Sequence, residues 1–387
     1  MSKARVHYNI DTIDKLGASI NLIYGERSNG KSYQVKYKKA VIPFLEGGVS
    51  YYDTYSSKGV IKEVIKTKGK RFMLVRRYRE EITPALVEKY FDDVDVEKLT
   101  NGKYDLITVY RGEIFLSNFD TKTNKVIKGE KIGYVIALST EQKYAGGSFL
   151  DVTDIIYEEF MSRSLYLPKE PTKLMNLFST IDRKRGIVRL WLVGNTISKV
   201  CPYLTEWGIM DIVRHQKQGE IKTVWLDTGD YDENNVKIEV KLAIEYCAST
   251  GNSSFVIGSY KAMLNKGEWQ SDTQPKLPKS YNLYKVLYRV GFIYKGFSFL
   301  GELLEDTEDK TTCWFIKYYQ KEFKSDIIVF SDIIKPSPYY QRNIYDPLIK
   351  NKKLIDVFRT FRETNIFYAS DMCGTDFKQA IDFEIRK

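Results

Sequence analysis

The stretch that most constrains this chain is Gly25-Glu26-Arg27-Ser28-Asn29-Gly30-Lys31-Ser32, which fits the phosphate-binding pattern G-x-x-x-x-G-K-[ST] at every fixed position. A phosphate tail needs several backbone N–H donors turned toward one point. Gly25 and Gly30 therefore stand where a side chain would block the approach or the required φ angle. In such a loop the lysine, here Lys31, reaches the β and γ phosphates, and the hydroxyl after it, here Ser32, is a Mg²⁺ ligand. All eight residues, Gly25, Glu26, Arg27, Ser28, Asn29, Gly30, Lys31 and Ser32, are thus candidate nucleotide-binding residues, with ATP and Mg²⁺ as the expected cofactors. The flanks agree: Ile20 to Tyr24 is a short apolar strand pattern, and Lys31 to Leu45 reads as the helix that follows it.

A length of 387 residues points to two domains, and 43% hydrophobic content is enough to give each a core. Sixty Lys and Arg against 50 Asp and Glu leave a net charge of +10, which favours a polyanionic partner, although a lysine-rich solvated surface has the same balance. The 29 tyrosines interleave the basic stretches, and packing is the expected use of most of them. Cys201, Cys247, Cys313 and Cys373 lie far apart with no C-x-x-C pair, and the only histidines are His7 and His215, which argues against zinc and disulfide frameworks. There is no apolar signal core near the N-terminus and no run of eighteen apolar residues, so the expectation is a soluble protein of a reducing cytoplasm with no membrane partner.

In chain order, Val49 to Asp53 and Arg71 to Val75 read as strands joined by a basic helical connection, Lys58 to Lys70. Arg76, Arg77 and Arg79 follow the second strand. Sheets of this class place function at the carboxyl ends of their strands, so these arginines are candidate DNA or subunit contacts, with a solvated turn as the equal alternative. Pro84 to Asp95 reads as a helix, then Leu106 to Ser117 and Lys125 to Ser139 as strands around a polar turn, Asp120 to Lys131. Lys122, Lys125 and Lys128 of that turn, beside Lys131, are candidate phosphate contacts, although charge at a hairpin tip more commonly serves solvation.

Val152 to Phe160 is an apolar strand pattern that ends in two carboxylates. Glu158 is the candidate Mg²⁺ partner through water, and Glu159 the candidate base that orients and deprotonates the attacking water. Pro171 to Arg183 reads as a helix that ends in Asp182-Arg183-Lys184-Arg185-Gly186. Cations suit a helix C-terminus for dipole reasons alone, but Arg183 or Arg185 is also a candidate arginine finger for a neighbouring subunit's γ-phosphate. A further buried strand, Val188 to Asn195, places Asn195 to sense the γ-phosphate or its water.

Beyond Gln218 the character changes. Thr223 to Asn252 reads as polar and irregular, and Ser271 to Lys279 holds Pro275 and Pro278, so this region is expected to connect two domains. From Tyr284 onward, strand patterns at Val286 to Tyr294, Gly296 to Leu303, Thr312 to Tyr319 and Asp326 to Phe330 precede a helix at Lys352 to Arg362. A strand at Asn365 to Ala369 and a helical turn from Phe377 complete an α+β domain. The expected division is 1–220, 221–280 and 281–387.

Together, Gly25 to Ser32, Tyr157-Glu158-Glu159-Phe160, Asp182 to Arg185 and Leu192 to Ser198 make the chain similar to the DNA-packaging motor ATPases, or encapsidation proteins, of small podophages with protein-primed genomes. These motifs lie in the amino-terminal half; the rest resembles the family only in strand order. The resemblance implies an α/β fold, with a P-loop NTPase domain of the ASCE type, a linker subdomain and a smaller α+β, RNase H-like carboxyl-terminal domain. It implies a ring, pentameric in the family, that docks on the portal of a viral prohead and hydrolyses ATP at subunit interfaces. The ring drives double-stranded DNA inward and works in the host cytoplasm, transiently on the prohead. Relatives also use a structural RNA on the prohead. Lys31 and Ser32 match the family's loop residues, Glu158 and Glu159 its acid pair, and Arg183 or Arg185 its trans-acting arginine. Glu in place of the commoner Asp at 158 is the clearest departure. Three other readings compete: a helicase-like or chromosome-pumping translocase, a nucleotide-binding assembly protein, and a nuclease using Asp326, Asp332, Asp371 and Asp376.

Overall fold

The computed structural model describes residues 8–46, 50–53, 63–66, 70–162, 166–231, 235–249, 268–324, 326–332, 340–341, 359–361 and 363–385. The chain falls into two compact units. The first comprises Met1–Ile197, Asp211–Ser254 and Leu264–Glu268; the second comprises Ser198–Met210, Phe255–Met263 and Trp269–Lys387.

The strands of the first unit are β1 (Ile20–Gly25), β2 (Ser50–Asp53), β3 (Glu63–Lys66), β4 (Arg71–Arg76), β5 (Leu106–Tyr110), β6 (Glu113–Asp120), β7 (Lys125–Ala137), β8 (Val152–Glu158), β9 (Arg189–Asn195), β10 (Ile221–Tyr231) and β11 (Lys237–Tyr246). The α-helices, of which α7 and α9 belong to the second unit, are α1 (Asp11–Asp14), α2 (Lys31–Val35), α3 (Ile42–Glu46), α4 (Pro84–Phe91), α5 (Val96–Leu99), α6 (Glu170–Asp182), α7 (Pro202–Glu206), α8 (Met210–His215) and α9 (Asp371–Ile385). A π-helical turn, Lys36–Val41, joins α2 to α3.

β1 and β8 are buried at every position, as near-continuous apolar runs should be when both faces of a parallel sheet are covered. They belong to a nine-stranded sheet in the order β10-β11-β1-β9-β8-β4-β7-β6-β5. The run from β11 to β7 is parallel, and β10 at one end and β6 and β5 at the other are antiparallel additions. Parallel pairing puts the last residues of four strands, Gly25, Arg76, Glu158 and Asn195, on one edge of the sheet, with Gly25 directly opposite Asn195 in register. α6 buries Leu174, Leu177 and Ile181. Ile10, Ile13, Val35, Val41, Val87 and Phe91 join the core with Ile23, Phe72 and Ile156 of the sheet.

The strands of the second unit are β12 (Tyr284–Tyr294), β13 (Phe297–Asp306), β14 (Thr312–Tyr318), β15 (Ile328–Ser331), β16 (Tyr340–Gln341) and β17 (Asn365–Tyr368). They form one sheet in the order β16-β15-β12-β13-β14-β17, antiparallel from β12 to β14 and parallel at β15, β16 and β17. Phe377 of α9 sits edge-on to Phe292 and Phe299, which fastens the helix to β12 and β13.

Several expectations change. Within Lys58 to Lys70, residues 63–66 are the strand β3, paired antiparallel with β2; most of the remaining positions lie outside the described residues, as does Val49. β-branched Val64 and Ile65 favour this extended form. Among the described residues of Thr223 to Asn252, 223–231 and 237–246 are strand rather than irregular. β10 and β11 form a long hairpin, and Leu242 to Tyr246 are buried because they pair with β1, while the polar half of the hairpin extends past the sheet and dilutes the pattern. The turn at Asp120 to Lys131 is short, so Lys125, Lys128 and Lys131 belong to β7 and only Lys122 lies in the turn. Leu106 to Ser117 breaks at Arg111 and Gly112, both with positive φ. The final helix begins at Asp371 rather than near Phe377. Of the helix expected at Lys352 to Arg362, only 359–361 are described, and these are helical. No helix among the described residues is long and apolar enough to cross a membrane.

Candidate functional site

The Gly25–Ser32 loop leaves β1 with Gly25 at φ 156° and enters α2 with Gly30 at φ 95°. A Cβ at Gly25 would stand 3.0 Å from Cys247 Cβ, so conformation and space both call for glycine there. Lys31 follows and is only 4% exposed. Its ammonium donates to Glu26 O at 2.5 Å, Asn29 Oδ1 at 3.1 Å and Asn195 Oδ1 at 3.3 Å. Each of these acceptors is a neutral oxygen. Burial pushes the Lys31 pKa below its ordinary value, against the pull of Glu158 and Glu26 nearby. A buried cation bonded only to neutral carbonyls at a strand-to-helix turn is a place built for an added anion.

Ser32 Oγ donates to Glu158 Oε2 at 3.0 Å, and Tyr90 OH donates to Glu158 Oε1 at 2.7 Å. Burial raises the Glu158 pKa, opposed by the Tyr90 bond, the Arg76 charge, the Ser32 bond and Lys36. A hydroxyl and a carboxylate facing one another are hard oxygen donors of the kind Mg²⁺ takes, so the residues present fit that ion. Glu159 has φ 58°, which turns the chain out of β8. Its side chain is 65% exposed and lies 3.9 Å from the Arg76 guanidinium. Lys31 is therefore hydrogen-bonded to Asn195 and the adjacent Ser32 to Glu158, and Glu159 follows on the solvent side.

The arginine and lysine candidates disperse. Arg76 lies beside the acids, 5.5 Å from the Tyr90 ring centroid and close to Glu159. Arg77 is buried and cannot face DNA: its Nε donates to Glu170 Oε2 at 2.9 Å and its Nη2 to Phe160 O at 2.9 Å. Glu170, itself fully buried, explains the position, because a buried charge needs a paired one. Arg79 is exposed in a short 3₁₀ turn, and Lys122, Lys125 and Lys128 are exposed, with Lys128 Nζ 3.5 Å from the Tyr110 ring centroid.

Arg183 is the left-handed cap of α6 and donates to Gly147 O at 2.6 Å. Arg185 gives its donors to the carbonyls of Leu150, Val152, Ile181 and Asp182. Arg185 reaches Val152 O, at the start of β8, and Glu158 ends that strand, so at about 3.3 Å per residue the Arg185 guanidinium lies about 20 Å from its own chain's acids, with Arg183 two residues before it in the chain. In the second unit, Asp376 accepts from Tyr318 OH at 2.5 Å, Asp371 pairs with Lys276 at 2.7 Å and Asp332 accepts from Lys295 N at 2.8 Å. No group of three or more acids, histidines or cysteines among the described residues is placed to hold a metal.

Sequence reasoning missed Tyr90 and gave Arg76 a different role, as a DNA or subunit contact. Tyr90 has no local signal, since a tyrosine on an amphipathic helix reads as packing. Arg76 reads as an outward cation, because its place beside Glu159 depends on β4 pairing with β8.

The sequence is 31% identical over 206 residues to the DNA packaging protein of Bacillus phage phi29, covering 52% of this chain and 50% of that protein. It is 28% identical over 194 residues to the DNA packaging protein of Bacillus phage B103, covering 49% of this chain and 48% of that protein. The match thus spans about half the length of these curated relatives. A solved structure, the bacteriophage Phi-29 viral genome packaging motor assembly, is 19% identical with a TM-score of 0.49 and 98% of each chain covered. The profile of the podovirus DNA encapsidation proteins (Gp16) matches residues 34–245, more than half of the chain. The chain belongs to the podovirus DNA encapsidation protein (Gp16) family.

Proposed function

We propose that this chain is an ATP-driven motor that moves double-stranded DNA into a viral prohead. The observation that carries the reading is the joining of Lys31, Ser32, Glu158 and Asn195 at one edge of a parallel sheet in a chain of the encapsidation family. The Gly25–Ser32 loop is a P-loop in this reading, and β9 between β1 and β8 supports the ASCE type. Lys31 would exchange its carbonyl partners for phosphate oxygens. Ser32 would hold Mg²⁺ directly and Glu158 partly through water. Held by Ser32 and Glu158, Mg²⁺ would supply positive charge against the charge that develops during phosphoryl transfer. Glu159, exposed at the edge, would take the proton of the attacking water, and Asn195 would orient that water or sense the γ-phosphate.

Arg183 and Arg185 are too far from their own site, so as fingers they would serve a neighbouring subunit of a ring, pentameric by family resemblance. Arg183 is the better candidate, because Arg185 is held by four carbonyls. The partners in this reading are the portal and prohead, double-stranded DNA and the structural RNA of the relatives, in the host cytoplasm. Arg79, Lys122, Lys125 and Lys128 remain the exposed DNA-contact candidates. For the second unit, the order of three antiparallel strands with parallel strands added beside the first supports an RNase H-like fold. β12 carries no Asp or Glu, which supports a nuclease chemistry reduced or lost. The domain division at 220 and 280 would then place the β10–β11 hairpin with the linker by sequence, although it completes the first sheet.

ATPase activity with and without double-stranded DNA, measured alongside particle size, tests the reading. Hydrolysis that DNA stimulates in an assembled ring is expected. Failure to bind or hydrolyse Mg²⁺-ATP overturns it.

A further inference from the structure

Tyr90 lies outside the phosphate-binding loop, yet its hydroxyl reaches the buried acid. Tyr90 OH donates to Glu158 Oε1 at 2.7 Å, while Ser32 occupies the other oxygen at 3.0 Å. The ring is held on several sides: Lys36 Nζ lies 4.5 Å and Arg76 Cζ 5.5 Å from its centroid, and Phe91 packs edge-on at 4.9 Å. Lys36 also donates to Tyr90 O at 2.5 Å and to Asp93 Oδ1 at 2.5 Å, which ties the helix after the loop to the end of α4. A phenol held this tightly has little freedom to leave its acceptor.

We propose that Tyr90 is a positioning residue that holds the Glu158 carboxylate in the orientation that presents Oε2 to Ser32, where the Mg²⁺ ion is expected. This rests on the nucleotide-hydrolysis reading above. A buried carboxylate needs its lone pairs satisfied. When Ser32 turns its hydroxyl to the ion, Tyr90 is the remaining side-chain hydrogen-bond donor to Glu158 among the described residues. Bonding one oxygen leaves the other available and fixes the direction in which it points. Outer partners of this kind set the orientation of metal ligands, and their loss typically costs about 10- to 100-fold in metal affinity.

Tyr90→Phe removes the hydroxyl and keeps the ring between Lys36 and Arg76. The test titrates a fluorescent ATP analogue against the full-length protein in EDTA and then across Mg²⁺ concentrations, with a thermal melt of each protein. The expected result is a melt lowered by no more than a few degrees, from the lost hydrogen bond to a buried acceptor, and an unchanged affinity in EDTA. The Mg²⁺ concentration for half-maximal tightening should rise about tenfold or more. In a Glu158→Gln background, Tyr90→Phe should add no further loss. An unshifted Mg²⁺ dependence, an equal loss of affinity in EDTA and in Mg²⁺, or an additive loss in the Glu158→Gln background overturns the positioning role while leaving nucleotide binding intact. A wild-type protein that binds no nucleotide under any condition overturns the underlying reading, and this proposal with it.

Discussion

The two units each bury a strand glutamate, and the two side chains are satisfied in opposite ways. Glu302 on β13 is 1% exposed and accepts from Arg289 Nε at 2.9 Å, Lys317 Nζ at 2.8 Å and Tyr281 OH at 2.6 Å. Burial alone would raise its pKa, but the bonds from Lys317, Tyr281 and Arg289 outweigh that and hold it below its ordinary value. Glu158 at the end of β8 is 5% exposed and meets two neutral hydroxyls, and burial raises its pKa. Glu302 has its cations supplied by its own sheet, so it is a structural ion cluster. Glu158 has no hydrogen-bonded cation among the described residues, and Lys31, the buried ammonium of the Gly25–Ser32 loop, hydrogen-bonds only to neutral oxygens. Charges that the fold buries without joining them mark where an outside anion and cation complete the balance.

The largest expected effect breaks the unfinished site outright. Lys31→Ala should abolish ATP hydrolysis and weaken nucleotide binding, because it removes the one buried ammonium at the loop; unchanged turnover would sink the P-loop reading. Next, Glu159→Gln should keep ATP binding and slow single-turnover hydrolysis by about 10² to 10⁴, since the amide keeps the shape but accepts no proton. If Glu158→Gln is instead the variant that binds without turning over, the roles of the two acids are exchanged.

The smallest effect sharpens the comparison through pH. Glu302 has a lowered folded pKa, so its contribution to stability is present above its ordinary value of 4.5 and is lost as pH falls below that. Glu158 has a raised folded pKa, so its burial costs stability at neutral pH and the cost fades as pH falls toward 4.5. Glu302→Gln should therefore destabilise the second unit by about 1 to 3 kcal/mol at neutral pH, and by progressively less in acid. Glu158→Gln should give a smaller change of opposite sign in the first unit. Hydrogen exchange in peptides of β13 and β8 between neutral pH and pH 4 reads each unit separately. Two changes of the same sign would dissolve the distinction.

Features set by neighbours along the chain were legible in advance. The loop is one, because glycine at φ 95° and a lysine one residue on are local demands. The acid pair is another, because an apolar run that ends in carboxylates describes a buried strand reaching the surface. What was not legible depends on which strand lies beside which. The polar composition of residues 223–252 hid a hairpin whose buried half is explained only by pairing with β1. Helix periodicity at Lys58 to Lys70 was outweighed at 63–66 by pairing with β2.

Sequence by itself determined the Gly25–Ser32 pattern, the two carboxylates that end an apolar strand and membership of the encapsidation family, since each rests on residue types at short spacings. Only the tertiary structure decided what three similar-looking arginines do. β4 lies beside β8, and this puts Arg76 next to Glu159; one residue later the side chain points to the interior, where Glu170 takes Arg77; Arg79 is left to solvent. It likewise decided that a tyrosine from α4 would hold Glu158. The physical reason is the same in each case. Side chains alternate along a strand and charges are satisfied by whatever the neighbouring strand or helix brings, and that neighbour is set by contacts far apart in the chain.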